Sequence, residues 1–311
     1  MKSFMYHYVR EDSDDFPYSA HKRVSEFISE IEKLHTMGYG FDNVSRCVRR
    51  CLDNNVTEDK TLLLTFDDGL KDHIVVARQL AAMGVTGATF YIPIGPYLTG
   101  QILPVHKAHI IRSRFGRESF SLLQQASKIL GLNIEAMQDT KSQIFDSRYQ
   151  HQRDSEEIKL FKRHVNYYGN RDEVNALLDK IIELSGLSLS TQSVYLTRAE
   201  IREISSLGFE VGSHGLSHTP MSRLSVNEQS KEMVESKSFL EAIVERPVKS
   251  FCYPYGRKSS YTRSTVGLLE ASGFASSLSV DPRDITIADL QTSIYEIPRY
   301  DCNLINSITD T

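Results

Sequence analysis

Two unbroken apolar stretches lying close together limit the class of fold open to this chain. KTLLLTF (residues 60–66) and GATFYIPI (residues 87–94) are short enough for strands and lack the polar alternation of a half-exposed one. A strand without a polar face fits burial on both sides, as in a parallel sheet covered by helices. Between them, residues 71–83 have helical spacing, with Gly84 as the stop. Strand, helix, strand in that order implies a parallel unit and an α/β fold.

The same alternation continues along the chain. KSFMYHYV (residues 2–9) reads as a first strand. Residues 21–37 carry Val24, Phe27, Ile28, Ile31 and Leu34 at helical spacing, and MGYG stops that helix. QSVYL (192–196), FEVGSH (209–214), VKSFCYPYG (248–256), FASSLSV (274–280) and SIYEIPRY (293–300) read as later strands. In TRAEIREISSLG, Thr197 and Glu200 form a capping-box pair and Gly208 is the stop. A long helix is expected over about residues 225–245, and another in STVGLLEASG. Repeated βα units leave a barrel or a doubly wound sheet open. Residues 105–190 break the pattern: they are charged and helix-prone, with candidate helices in SFSLLQQASKIL, SEEIKLFKRHV and RDEVNALLDKIIELSG. They read as a helical insertion, about residues 100–193, within one catalytic domain spanning 1–311.

Composition excludes several function classes. The net charge of −4 over 311 residues gives no basic field for nucleic acid or an anionic membrane. No apolar run approaches the roughly 20 residues of a membrane span. The first residues, MKSFMYHYVRED, hold no apolar signal core, so a cytoplasmic location is expected. Cys47 and Cys51, four apart, fit one helix face and read as thiols without a disulfide in a reducing compartment. Cys252 reads as a core filler.

In barrels and doubly wound sheets, chemistry sits at the carboxyl ends of strands. There the sequence places His7, Asp67 with Asp68, His214 with His218, Tyr253 with Tyr255, and Arg299. Adjacent buried carboxylates repel, so Asp67 and Asp68 need a cation or a shared proton; taken alone, the DDG stretch reads as a turn rather than a site. SHGLSH puts two histidines four apart in a loop after a strand, either as metal ligands or as hydrogen-bonded surface groups. One Asp and two His make an N2O set with open positions, suited to a catalytic divalent ion. FCYPYG by itself is a Pro-Gly turn, though a backbone N–H there could help form an oxyanion hole.

LTFDDG, EVGSHGLSH and FCYPYG, in that order and each after a strand, resemble the polysaccharide deacetylases, carbohydrate esterase family 4 or NodB-homology domains. The resemblance covers about residues 60–95 and 195–300. It implies a distorted (β/α)7-type barrel. It implies Asp67 as general base and Asp68, His214 and His218 as ligands of a divalent metal, Zn²⁺ first, with Co²⁺, Mn²⁺ or Ni²⁺ as alternatives. A backbone N–H near Tyr255, in the motif that also holds Tyr253, would help hold the oxyanion.

Two departures from the family stand out. Residues 250–252 are Ser-Phe-Cys, without the usual Arg, and no histidine follows His218, which excludes the late-histidine acid. FMYHYVRED resembles the amino-terminal segment of a subgroup typified by exported biofilm poly-N-acetylglucosamine deacetylases, and that likeness implies His7 as the acid. Arg299 is expected to orient Asp67 or bind substrate, with a structural salt bridge as the alternative. His106 and His109 read as packing or insertion contacts, and His73 is left unassigned.

The expected activity is metal-dependent removal of an acetyl or formyl group from the nitrogen of an amino sugar. The expected substrate is a cytoplasmic nucleotide- or lipid-linked precursor of surface polysaccharide. The alternatives are a non-catalytic carbohydrate-binding or regulatory protein on the same fold, and a metallophosphoesterase, which would need ligands for a second metal.

Overall fold

The computed structural model describes residues 1–57, 59–134, 154–168 and 170–305. The chain forms two compact units. The first comprises residues 1–11, 21–101 and 191–311; the second comprises residues 12–20 and 102–190.

Among the described residues, the first unit is built on eight parallel strands: β1 (Lys2–Tyr6), β2 (Gly40–Phe41), β3 (Thr61–Phe66), β4 (Thr89–Ile92), β5 (Glu210–Ser213), β6 (Ser250–Cys252), β7 (Ser276–Leu278) and β8 (Tyr300–Asp301). Their order is β7-β6-β5-β4-β3-β1-β8, with β2 beside the start of β3. The segment around β8 draws the two edges of this sheet together. Ile297 exchanges backbone hydrogen bonds with Ser277 and Ser279 next to β7, at 3.0 and 2.9 Å. Three residues on, Tyr300 pairs with Phe4 of β1. The sheet therefore curls into a distorted (β/α) barrel with seven positions in its ring.

The all-apolar β3 acquires two faces from this curl. Leu62, Leu64 and Phe66 pack outward in a cluster with Phe27, Ile31, Ile74, Ala77 and Leu80 of the surrounding helices. Leu63 packs inward with Tyr91, Cys252, Leu278 and Ile297. Helix Val44–Asn54 adds Val44, Cys47, Val48 and Cys51 to that inner cluster, and the sulfurs of Cys47 and Cys51 lie 4.0 Å apart, well beyond disulfide length. Each buried Leu or Phe is worth roughly 1.5–3 kcal/mol relative to exposure, so both faces stabilise the strand that ends at the aspartates.

Three expectations about strands change. QSVYL is not a strand: Thr191–Val194 is a helical turn. Lys71 N donates to Val194 O at 2.8 Å and Leu196 N to Gly69 O at 3.0 Å, so the segment docks against the turn after β3. Its apolar run is too short to set its own conformation, and burial of Tyr195 and Leu196 decides it. SIYEIPRY is not continuous: only Ile297, at β7, and Tyr300, in β8, pair. KSFMYHYV stops being a strand at Tyr6, which leaves His7 just beyond its end.

The second unit is helical: Pro104–Phe115, Glu118–Leu130, Glu156–Arg163 and Arg171–Leu184, with a π-helical turn at His164–Tyr168. It includes residues 12–20, which the expected insertion did not contain, while residues 135–153 of that insertion lie outside the described residues. Ile111, Leu123, Phe161, Leu177, Leu178 and Ile181 make its core. Buried His106 lies in this unit, its ring 6.1 Å from that of His109.

Candidate metal centre at the carboxyl ends of the strands

Asp67 and Asp68 follow β3 directly, and the Asp67 N–H still donates to Tyr6 O of β1 at 2.9 Å. Asp68 then turns into the left-handed region at φ 81°. Gly69 continues the turn at φ 59°; a Cβ there would lie 2.9 Å from Ile92 Cγ2. His214 follows β5, and its N–H donates to Ile92 O at 3.1 Å. His218 closes the next loop at φ 54°. The strand ends thus bring together two aspartates and two histidines separated by about 150 residues of chain.

Asp68, His214 and His218 offer one carboxylate oxygen and two ring nitrogens within 4.8 Å of one another, and all three residues are buried. His218 Nε2 lies 3.1 Å and His214 Nε2 3.5 Å from Asp68 Oδ1. The Nδ1–H of His214 donates to Cys252 O at 2.7 Å, so its Nε2 lone pair faces the cluster. Burial by itself would lower the pKa of His214, but Cys252, Asp68 and Asp67 reverse this and raise it well above its usual range. A set of one carboxylate oxygen and two imidazole nitrogens this close together fits a divalent metal such as Zn²⁺.

Polysaccharide deacetylase sequences match in this region. The family model described as Polysaccharide deacetylase matches residues 174–274, a span that holds His214, His218 and FCYPYG but not the aspartates. Residues 174–274, about a third of the chain, thus match the polysaccharide deacetylase family. The chain is 23% identical over 137 residues to the putative polysaccharide deacetylase YxkH of Bacillus subtilis, and that match spans about half of each chain (43% of this one, 48% of YxkH). Two solved structures share the fold across the chain. The Streptococcus pyogenes deacetylase PplD in complex with acetate has a TM-score of 0.61 at 16% identity, covering 97% of this chain and 91% of that one. IcaB from Ammonifex degensii has a TM-score of 0.58 at 13% identity, covering 99% and 95%.

At the same strand ends, Arg299 is committed to Asp67. Its Nη1 and Nη2 donate to the two carboxylate oxygens at 2.8 and 2.9 Å, a bidentate pair. The other three N–H groups go to Thr65 Oγ1 (3.0 Å), Cys252 Sγ (3.0 Å) and Ser279 O (3.3 Å). A guanidinium has five N–H donors, so none remains for a substrate. Burial pushes the Asp67 carboxyl up, but Arg299 and His214 outweigh it and hold the group at about 2. Asp67 is a carboxylate at neutral pH.

His7 is half-buried and follows Tyr6, whose carbonyl accepts from the Asp67 N–H. The His7 carbonyl is held by His73 Nε2–H at 2.8 Å, and burial keeps the pKa of His73 below its usual value. The unassigned His73 is thus a buried support for the end of β1. Tyr255 is left-handed at φ 64°, with its ring 5.2 Å from that of His218. Tyr253 points elsewhere: its hydroxyl donates to Tyr295 O at 2.9 Å and its ring stacks on Tyr261 at 4.0 Å.

Sequence reading missed Cys252 as part of the site. Its sulfur accepts from Arg299 and lies 3.6 Å from Asp67 Oδ2, while burial pushes the thiol pKa up and keeps it protonated. Its place at the end of β6, beside the Pro-Gly turn, was the available signal.

Proposed function

We propose that the chain hydrolyses the N-acyl group of an acylated amino sugar, acetyl before formyl, with Asp68, His214 and His218 holding a divalent metal. The observation carrying this reading is the Asp68–His214–His218 cluster standing beside a separately clamped, ionised Asp67. The metal, when bound, supplies Lewis acidity to an amide oxygen and lowers the pKa of a water.

The protein's own groups do the rest. Asp67 accepts the proton of the attacking water. Arg299 keeps that base ionised and fixed in direction, trading some basicity for the right protonation state. The backbone at Tyr255, held left-handed beside His218, is the candidate donor to the developing oxyanion. His7 delivers a proton to the departing amine, which must leave neutral. A non-catalytic carbohydrate-binding role has less support, because a carboxylate held ionised by a bidentate arginine beside the cluster serves no purpose in binding alone.

The test is release of acetate or formate from a panel of free, nucleotide-linked and polymeric N-acyl amino sugars by metal-loaded protein. Turnover is expected to fall about 10²–10⁴-fold in Asp67→Asn. If no member of the panel yields acid above that variant, the amidase reading fails. In His7→Ala, undiminished turnover would remove His7 as the acid.

A further inference from the structure

His218 ends a loop that belongs to no helix or strand, yet it must hold a left-handed backbone beside Asp68. The loop is moulded around one side chain on a different element. Glu232, 6% exposed, lies in helix Val226–Val244. Its Oε2 accepts the N–H groups of Leu216 (2.5 Å) and Ser217 (3.0 Å), and its Oε1 accepts the Ser217 hydroxyl. No lysine, arginine or histidine pairs with this carboxylate among the described residues. A buried carboxylate is tolerated only where donors converge on it, and here all the donors come from the loop between the two histidines.

Neighbouring contacts complete the mould. One helical turn beyond Glu232, Ser236 Oγ bonds Ser213 Oγ at 2.6 Å, and Ser213 Oγ also accepts from Gly215 N at 3.2 Å. On its other side, the loop accepts backbone N–H groups from Ile94 and Gly95, both at 2.9 Å. Gly215 has φ 74°, and a Cβ on it would lie 2.7 Å from Glu232 Oε2, so only glycine lets the carboxylate reach Leu216 and Ser217.

We infer that Glu232 is a positioning residue for the metal: by fixing the backbone of residues 215–217 it sets His218 against Asp68 and His214. The inference rests on reading those three residues as ligands. Replacing Glu232 leaves two loop N–H groups seeking new partners and lets His218 leave its left-handed conformation.

The test is titration of metal-free protein with Co²⁺, following its visible absorption bands, which report ligand geometry. Wild type is expected to bind at a site lost in His218→Ala; binding unaffected by His218→Ala would overturn the ligand assignment itself. Glu232→Gln is expected to weaken Co²⁺ binding about 10–100-fold, as loss of an outer support does, and to alter the bands. Lys237→Ala, on the same helix, removes contacts to Glu241 and Val248 O. It should lower the thermal midpoint of the metal-free protein while leaving Co²⁺ affinity and spectrum as in wild type. If Glu232→Gln behaves like Lys237→Ala, Glu232 only stabilises the helix and the inference falls. Should Glu232→Gln fail to fold, Ser217→Ala removes one donor from the mould; a severalfold loss of affinity supports the inference, and an unchanged affinity and spectrum overturns it.

Discussion

The rim of the barrel and the helical unit handle their polar groups in opposite ways. Among the described residues, five non-glycine positions are left-handed. Asn55 and Glu245 end helices, where such a conformation is ordinary. The other three, Asp68, His218 and Tyr255, gather at the candidate metal centre. The helical unit has none among its described residues. Its buried Lys107 instead reaches Asn175 and Asp179 at the surface. Two of its helices are begun by side-chain caps, Ser155 accepting from Ile158 N and Asn170 from Asp172 N. Packing and capping account for the helical unit. The rim carries strain and buried charge that packing alone would not select, as functional sites do.

Perturbing each region separately can break this contrast. The largest effect is expected from Arg299→Ala, which leaves Asp67 as a buried charge without its counter-ion. Urea denaturation should show a loss of about 3–5 kcal/mol, and turnover should collapse with it. Adding Asp67→Ala should restore part of the stability and none of the activity; full additivity would deny the coupling. Next comes Leu177→Ala in the core of the helical unit, expected to cost about 2–5 kcal/mol through its cavity. It should leave Co²⁺ affinity unmoved, and a large loss of metal binding would erase the distinction between the regions. Asn170→Ala should lower stability by only about 1 kcal/mol, the usual value of an N-cap.

The smallest effect is one of pH. Asp289 is held at about 2, by hydrogen bonds from Arg283 first and from Thr286 after burial is offset. Its folded pKa lies below the unfolded value of about 3.9. The stability it adds is therefore complete above that value and disappears as pH falls through about 2. Thermal midpoints of Asp289→Asn and wild type should converge on acidification between those limits; a constant gap would mean the group contributes no ionisation-linked stability.

What could be read in the sequence follows from the range of the interactions. The βα units, the Thr197–Glu200 capping box and the aspartate and histidine motifs are local patterns, and the structure places them at strand ends and helix starts. The clamp on Asp67 was only half legible. Arg299 was marked as one of two alternatives, and Cys252 was read as filler, because their meeting joins β3, β6 and the edge of β8 across more than 180 residues. Glu232 gave no signal at all: a glutamate in a long polar helix looks solvated until the loop it enters is known. QSVYL failed for the opposite reason, since its apolar residues satisfied a strand pattern while docking as a turn.

Ile297 and Tyr300 draw the two edges of the barrel together, and Arg299 stands between them. A chain is synthesised from its amino terminus, so Asp67 emerges more than 200 residues before its clamp. Until residues 297–301 dock, the carboxylate has no guanidinium and the ring of strands has a gap at the same place. A nascent or truncated chain would therefore hold Asp68, His214 and His218 but leave the Asp67 carboxylate without its counter-ion, so the proposed base is complete only once that segment has docked.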